Sequence, residues 1–442
     1  MRATGLNRTS VVALAALLTL PLCLAAQEDS ESRPTQVRHY KVIDLGAPHG
    51  WTFSQASTIS NTGVISGLAA PTPTSPQRAV VWEHGQILEF GTLGGLNSAA
   101  FGAVKQGRVM AVGQAESSDL DLDPNDENFC DYGTHEKCLP ALWDGHATIP
   151  LRTLGGNNGF AGPINANGEI AGTVETDVRD PDCPGTVAVN GTGPQLLDYE
   201  GVVWRPRLGQ IRKLKPLPDD TVTIAIWIND NGQAVGISGT CANTVIPPIA
   251  YGPHAVRWDM DGKPRNLGNL GSTVANAALS INNRGEVVGA SSPTDQSTNS
   301  NGVLAFLWTP RKGMRSLGTL PGDLASGATG INDRGEVIGL SIDPMGNPRA
   351  VVWLNTSIYN LNDLVIGDSP FDALLATFGG INDAGEIVGF GVTTGGDVHA
   401  FLAIPCDEAE DGEPFTRGAK HQAVIPEYVR DMVRARFGIH GH

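Results

Sequence analysis

Apolar positions along this chain fall into short runs with a fixed punctuation. The stretch INNRGEVVG at 281–289 returns as INDRGEVIG at 331–339, INDAGEIVG at 381–389, INDNGQAVG at 228–236 and INANGEIAG at 164–172, with more divergent copies ISNTGVISG at 59–67 and VKQGRVMAVG ending at Gly113. Each copy leads to a second apolar run, as in RAVVW at 78–82, HAVRW at 254–258, LAFLW at 304–308 and HAFLA at 399–403. A further run then enters a leucine-glycine turn, as in ILEFGTLGG and MRSLGTLPG. Runs this short, bounded by Asn and Gly, predict strands rather than helices, four to a period.

Each part of the period has a physical reason to recur. In N-x-x-G the Asn side chain can hold a tight turn while Gly takes the left-handed conformation, which gives a hairpin with a bulge. Gly285, Gly335 and Gly385 are assigned this role. The strand before the turn is rich in small residues (Ala99, Ala100, Ala277, Ala278, Gly327, Ala328), as an innermost strand lining a central channel requires. Trp82, Trp143, Trp204, Trp258, Trp308 and Trp353 end the third strand, where a ring packs between neighbouring repeats. Burying one such ring contributes about 4–6 kcal/mol before entropy is subtracted.

The expected fold class is therefore all-β: a seven-bladed β-propeller of four-stranded antiparallel blades, closed by the N-terminal strand, with a short C-terminal helix. Closure follows from incomplete ends, because HYKVIDLG near 39–46 stands alone before the first turn and the last repeat stops after HAFLA. An open β-solenoid is the other architecture of this repeat length, but it gives no reason for complementary ends.

Residues 1–26 read as a signal peptide, with Arg2 and Arg8 ahead of an apolar run from Val11 to Leu24 and small residues before Gln27. A linker at 27–38, the propeller at 39–405 and a tail at 406–442 complete the organisation. Pro426 opens the short helix of that tail. No later stretch predicts a membrane span, so the expected location is extracellular or periplasmic. The net charge of -16 becomes -18 once Arg2 and Arg8 are removed. Such an acidic surface repels phosphate backbones and argues against nucleic-acid partners.

Differences between the repeats are where function is expected. The stretch between the closing Gly and the Trp is short from Gly67 to Trp82, but long from Gly113 to Trp143, Gly172 to Trp204 and Gly236 to Trp258. These insertions should build up one side of a single loop face. They also contain Cys130, Cys138, Cys183 and Cys241, favoured as the disulfides Cys130–Cys138 and Cys183–Cys241 in an oxidising compartment, with the other two connectivities open. Cys406 is left odd. In ESSDLDLDPNDENFCDYG, the alternating Asp119, Asp121, Asp123 and Asp126 form a candidate calcium site, the plain alternative being a solvated acidic loop. No other cofactor is expected. His254 and His399, at the start of third strands, are read as architectural.

The I-N-x-x-G-x-V-x-G, A-F-L-W and L-G-x-L-G-G motifs over residues 40–405 resemble the HAF family of extracellular repeats, whose name is spelt by His399, Ala400 and Phe401. That resemblance implies an extracellular repeat protein and supplies no catalytic residues. Val104 and Lys105 of the second copy depart most from its pattern. No G-x-S-x-G, H-E-x-x-H, P-loop or dinucleotide fingerprint occurs. The expected function is a recognition, interaction or adhesion module for an extracellular protein or glycan. A secreted hydrolase or lyase with its active site on the loop face is the alternative.

Overall fold

The computed structural model describes residues 38–425 apart from 122–128, 131, 146, 182, 184–194, 245–250, 296–301, 356 and 407–424, together with 427, 428 and 430. The signal peptide and most of the linker therefore lie outside the described residues, as do Asp123 and Asp126. The described chain is all-β, relieved only by three 3-10 turns and a helical turn at Glu427, Tyr428 and Arg430. No described helix is long and apolar enough to cross a membrane.

Antiparallel four-stranded units follow one another along the chain, here numbered one to seven: 53–89, 94–150, 155–213, 222–266, 276–316, 325–360 and 371–406 with the N-terminal strand. Units two to six are separate four-stranded sheets. Units one and seven meet at the parallel pair Phe53 and Val398. The N-terminal strand His39–Asp44 supplies unit seven with its fourth strand, running from His39 opposite Cys406 to Asp44 opposite Phe401 without a register break. Within each unit the first strand packs on strands of the preceding unit, and that of unit one packs on unit seven.

Every first strand carries a register shift, for example between Ala100 and Gly102, Ala225 and Trp227, Ala278 and Ser280, and Ala328 and Gly330. Such bulges tighten the local twist. First strands of neighbouring units then approach backbone to backbone, so that a Cβ on Gly102 would lie 2.7 Å from Cα of Pro163 and one on Gly330 would lie 2.9 Å from Gly379. Small residues are needed there for contact between units. The first strands are not lined by small residues alone, however. Trp227 of unit four lies against Gly379 of unit seven, whose added Cβ would sit 2.5 Å from the indole. An aromatic ring thus occupies space that the small-residue pattern assigned to an open channel.

In units three to seven the turn after the first strand does more than reverse the chain. In unit five, Asn282 Oδ1 accepts the backbone N–H groups of Arg284 and Glu286 at 3.1 and 3.0 Å, while its amide donates to the Glu286 carboxylate at 2.8 Å. The same amide donates to the carbonyl of Asn332 in unit six at 3.0 Å. Asn165 repeats this bond to Asn229, Asn229 to Asn282, Asn332 to Asn382 and Asn382 to Ser60. A second line runs beside it, with Asp230 N–H donating to Asn283, Asn283 N–H to Asp333 and Asp333 N–H to Asp383. Repeated Asn residues therefore tie units three to six each to the next, and unit seven to unit one, through hydrogen bonds each contributing about 1 kcal/mol. The Glu of each turn in units three, five, six and seven holds its own Asn.

The six repeat tryptophans are at most 3% exposed. Four donate their indole N–H to the segment leaving the preceding unit: Trp143 to Gly91, Trp204 to Arg152, Trp258 to Lys215 and Trp353 to Leu317, at 2.9, 2.8, 2.7 and 3.0 Å. Trp308 instead lies beneath the guanidinium groups of Arg257 and Arg265 from unit four, 5.3 and 5.0 Å from the ring centroid. Trp353→Phe keeps most of the ring and removes the bond, leaving the Leu317 carbonyl unpaired. Equilibrium urea unfolding should record a loss of about 1–2 kcal/mol.

Candidate functional site

The insertions of units two to four sit on the side that carries the links between second and third strands and the links between units. Two buried carboxylates organise it. Glu116 follows Gly113 in unit two by three residues and Glu175 follows Gly172 in unit three by three residues, and both are 1% exposed. Glu116 accepts the backbone N–H of Asn97 at 2.9 Å, the Asn97 amide at 2.7 Å and the hydroxyl of Thr134. Glu175 accepts from the backbone of Asn157 and Asn158 at 3.2 and 2.9 Å, and from Gln195 at 2.8 Å. Each carboxylate thereby holds the L-G-G loop leading into its own first strand. Burial, joined by the charge of Glu136, raises the Glu116 pKa against the bonds from Thr134 and Asn97, which lower it.

The insertions clasp one another. Asp121 accepts the side-chain amides of Asn157 and Asn158 of unit three, both at 2.7 Å. Phe129 packs against Phe160 with centroids 6.2 Å apart. Disulfides join Cys130 to Cys138 within unit two and Cys183 to Cys241 across units three and four, in the favoured connectivity. The latter closes a span of 58 residues, which the chain-entropy account values at about 4 kcal/mol. The hydroxyls of Tyr199 and Thr244 add a bond between the same two units. Cys406 is free and half-buried.

Of the calcium candidates, Asp119 and Asp121 are described and belong to no group of three metal-competent side chains among the described residues. Each Asp121 oxygen already accepts one amide hydrogen, so an ion there would share a carboxylate that also clasps Asn157 and Asn158. Among the described residues the group that does converge is Asp180 with Cys183 and Cys241. Its sulfurs are bonded to each other and offer no thiolate.

Asp198 stands apart electrostatically. Its Oδ1 is buried with no hydrogen-bond partner among the described residues. Burial first, then the charges of Asp180 and Glu200, push its pKa from 3.8 up to about 6. A carboxyl whose folded pKa is raised costs stability as pH climbs from its unfolded value through the folded one, and costs nothing below both. Asp198→Asn should therefore stabilise the protein by roughly 1 kcal/mol at pH 7.5, reduced from the full shift because the group is half open to solvent screening. The gain should vanish by pH 4 in paired thermal melts.

His254 and His399 occupy equivalent positions and each meets an aspartate, Asp220 and Asp44, at 3.0 Å. Burial opposes ionisation of Asp44, but the bonds from His399 and from the Gly46 N–H outweigh it and hold its pKa below 3.8. Arg349 takes the same place in unit six and pairs with Asp323. These pairs brace the start of the third strand.

Several solved structures are similar in part. They include an acylaminoacyl peptidase of Pyrococcus horikoshii (15% identity, TM-score 0.41, 71% of this chain and 45% of that one) and TolB from Acinetobacter baumannii (11%, 0.37, 69% and 62%). An oligogalacturonate lyase of Vibrio parahaemolyticus matches at 12% identity and TM-score 0.42 over 85% of this chain and 95% of that one. The chain thus spans less than half of the peptidase and under two thirds of TolB. No family model matches, and no curated protein matches. At TM-scores below 0.5 these likenesses carry no argument about activity.

Glu116, Glu175, Asp198 and Trp227 escaped the sequence reading. A signal for the first two was present: only units two and three combine L-G-G and a nearby Asn with a Glu three residues after the closing Gly, where the others have Ala70, Gly239, Ser292, Ile342 and Val392.

Proposed function

We propose that the seven units form a closed ring of seven blades of the HAF repeat type, completed by the N-terminal strand, and that the secreted protein is a recognition module. The ligand, an extracellular protein or glycan, docks on the loop face over units two to four. The observation behind this reading is a contrast between the two sides. One is held by a belt of Asn residues repeated in units three to seven, each bonded to the following unit, whereas the other carries long, mutually distinct insertions pinned by two disulfides and two buried glutamates. Variable loops rigidly presented are the usual basis of selective binding. Removal of residues 1–26 on secretion, and calcium bound beside Asp119 and Asp121, belong to the same proposal.

A hydrolase or lyase reading has one observation in its favour. Asp198, with its pKa near 6 beside two further carboxyl groups, is suited to give up a proton near neutrality. Screening the full-length protein against extracellular glycans and proteins separates the two readings. Saturable binding without product, weakened by Asp121→Ala, supports the module. Turnover abolished by Asp198→Asn supports the enzyme and displaces it.

A further inference from the structure

Unit four departs from the repeat at its outer strands. The residue just ahead of the third-strand tryptophan is Val81, Leu142, Val203, Leu307 and Val352 in units one, two, three, five and six, and Leu402 takes the equivalent place in unit seven. Unit four has Arg257 there. Each of these positions stands opposite one residue of the fourth strand, and in unit four that residue is Arg265. Arg212 and Arg315 take the place of Arg265 in units three and five, but opposite Val203 and Leu307. In unit four alone among the described units, two guanidinium groups meet across a register pair, which by itself destabilises a sheet.

No described carboxylate bonds to this pair. Both groups lie over the Trp308 ring of unit five, and neither makes a hydrogen bond or ion pair with another described residue. Arg38, Arg108, Arg205, Arg284, Arg334 and Arg349, by contrast, each meet a carboxylate. Arg265 is exposed, while Arg257 is half-buried with its Nε shielded and unpaired among the described residues. Burial, then the charge of Arg265, lowers the Arg257 pKa. Asp259 raises it through its charge, but its Oδ1 is taken by the backbone N–H groups of Asp261 and Lys263 at 3.0 and 2.8 Å. A Cβ on Gly285, in the turn of unit five, would lie 3.2 Å from Arg257 Nη1, which places the pair toward the turns and away from the insertions.

We propose that Arg257 and Arg265 hold one oxyanion group, a carboxylate or a sulfate, at the seam of units four and five, with both guanidinium groups braced on the Trp308 ring. An anion bridging the two removes their repulsion and takes the N–H groups left without partners. Stacking on the indole fixes the guanidinium planes beforehand, so little side-chain freedom is lost on binding. A single group is specified rather than a polyanion, because a protein of net charge -16 repels a longer run of negative charge. The site lies away from the loop face and does not depend on what that face binds.

Isothermal titration calorimetry of the full-length protein tests this, with sodium sulfate, acetate and glucuronate set against sodium chloride at matched ionic strength. At least one oxyanion should bind saturably in the millimolar range and shift the Arg257 Nε–H resonance in NMR spectra of the arginine side chains. Arg257→Leu, which restores the aliphatic residue of the other units, should weaken that binding more than about tenfold while the melting temperature stays level or rises. Arg265→Gln, at an exposed position, tests the same point without touching a half-buried side chain and should weaken binding alike. Arg257→Lys keeps the charge and loses the fork, so an intermediate loss is expected. Tighter binding of glucuronate than of acetate would identify an acidic sugar as the source of the group, and equal binding a free anion. Absence of saturable binding by all three anions, or equal binding by the unaltered chain and both Arg257→Leu and Arg265→Gln, would overturn the inference.

Discussion

Val42→Asp should cost about 4 kcal/mol in urea unfolding at pH 7, whereas Ile43→Asp, one residue further, should cost less than about 0.5 kcal/mol. The two side chains point to opposite faces of the N-terminal strand. Val42 is buried opposite the fully buried Ala403, while Ile43 is 46% exposed. A carboxylate at 42 has no partner in an apolar seam and carries the penalty of an uncompensated buried charge. The loss should appear as one cooperative transition, because the strand links the two ends of the chain. Hydrogen exchange should show strand Val398–Cys406 losing protection first, and its freed edge should promote concentration-dependent association. Similar costs for the two variants would mean that this strand contributes little to holding the ends together.

Asn282→Asp should destabilise by about 3 kcal/mol at pH 7, and by distinctly less near pH 4. The variant keeps an oxygen for the N–H groups of Arg284 and Glu286, so the hairpin itself is retained. It loses the amide donor to Asn332 of the next unit and sets a carboxylate against Glu286. An unpaired buried carbonyl and a like-charge contact together set the magnitude. Protonation of either carboxyl relieves the repulsion, hence the direction of the pH dependence. Thermal melts across that pH range measure both parts. A cost below about 1 kcal/mol at pH 7 would show that the belt is held by the turns alone.

What was readable locally was read from local causes. The N-x-x-G turn predicts a left-handed Gly because no other residue adopts that conformation cheaply, and Gly285, Gly335 and Gly385 have φ of 75°, 82° and 82°. The tryptophans were legible as packing residues because one large side chain recurs at one strand position. The expectation of a channel lined by small side chains held for contact between neighbouring first strands and missed Trp227, a single departure from the repeat. The favoured disulfides followed from proximity within the insertions, although sequence alone left three connectivities open.

Periodicity and turn chemistry in the sequence were sufficient for the all-β class, the four-strand period, the tryptophan seams and the side on which the repeats differ. Such features depend on contacts within one repeat, a few tens of residues long, and every copy restates them. The tertiary structure decided that Asn282 reaches Asn332, that Asp121 clasps Asn157 and Asn158, that Asp198 sits beside Asp180, and that Ile425 covers the ends of units one, six and seven. Each of those pairings joins segments from different repeats or insertions. No local propensity encodes such a distance, because it exists only after the sheets have packed and each buried polar group has found the partner that offsets its lost hydration.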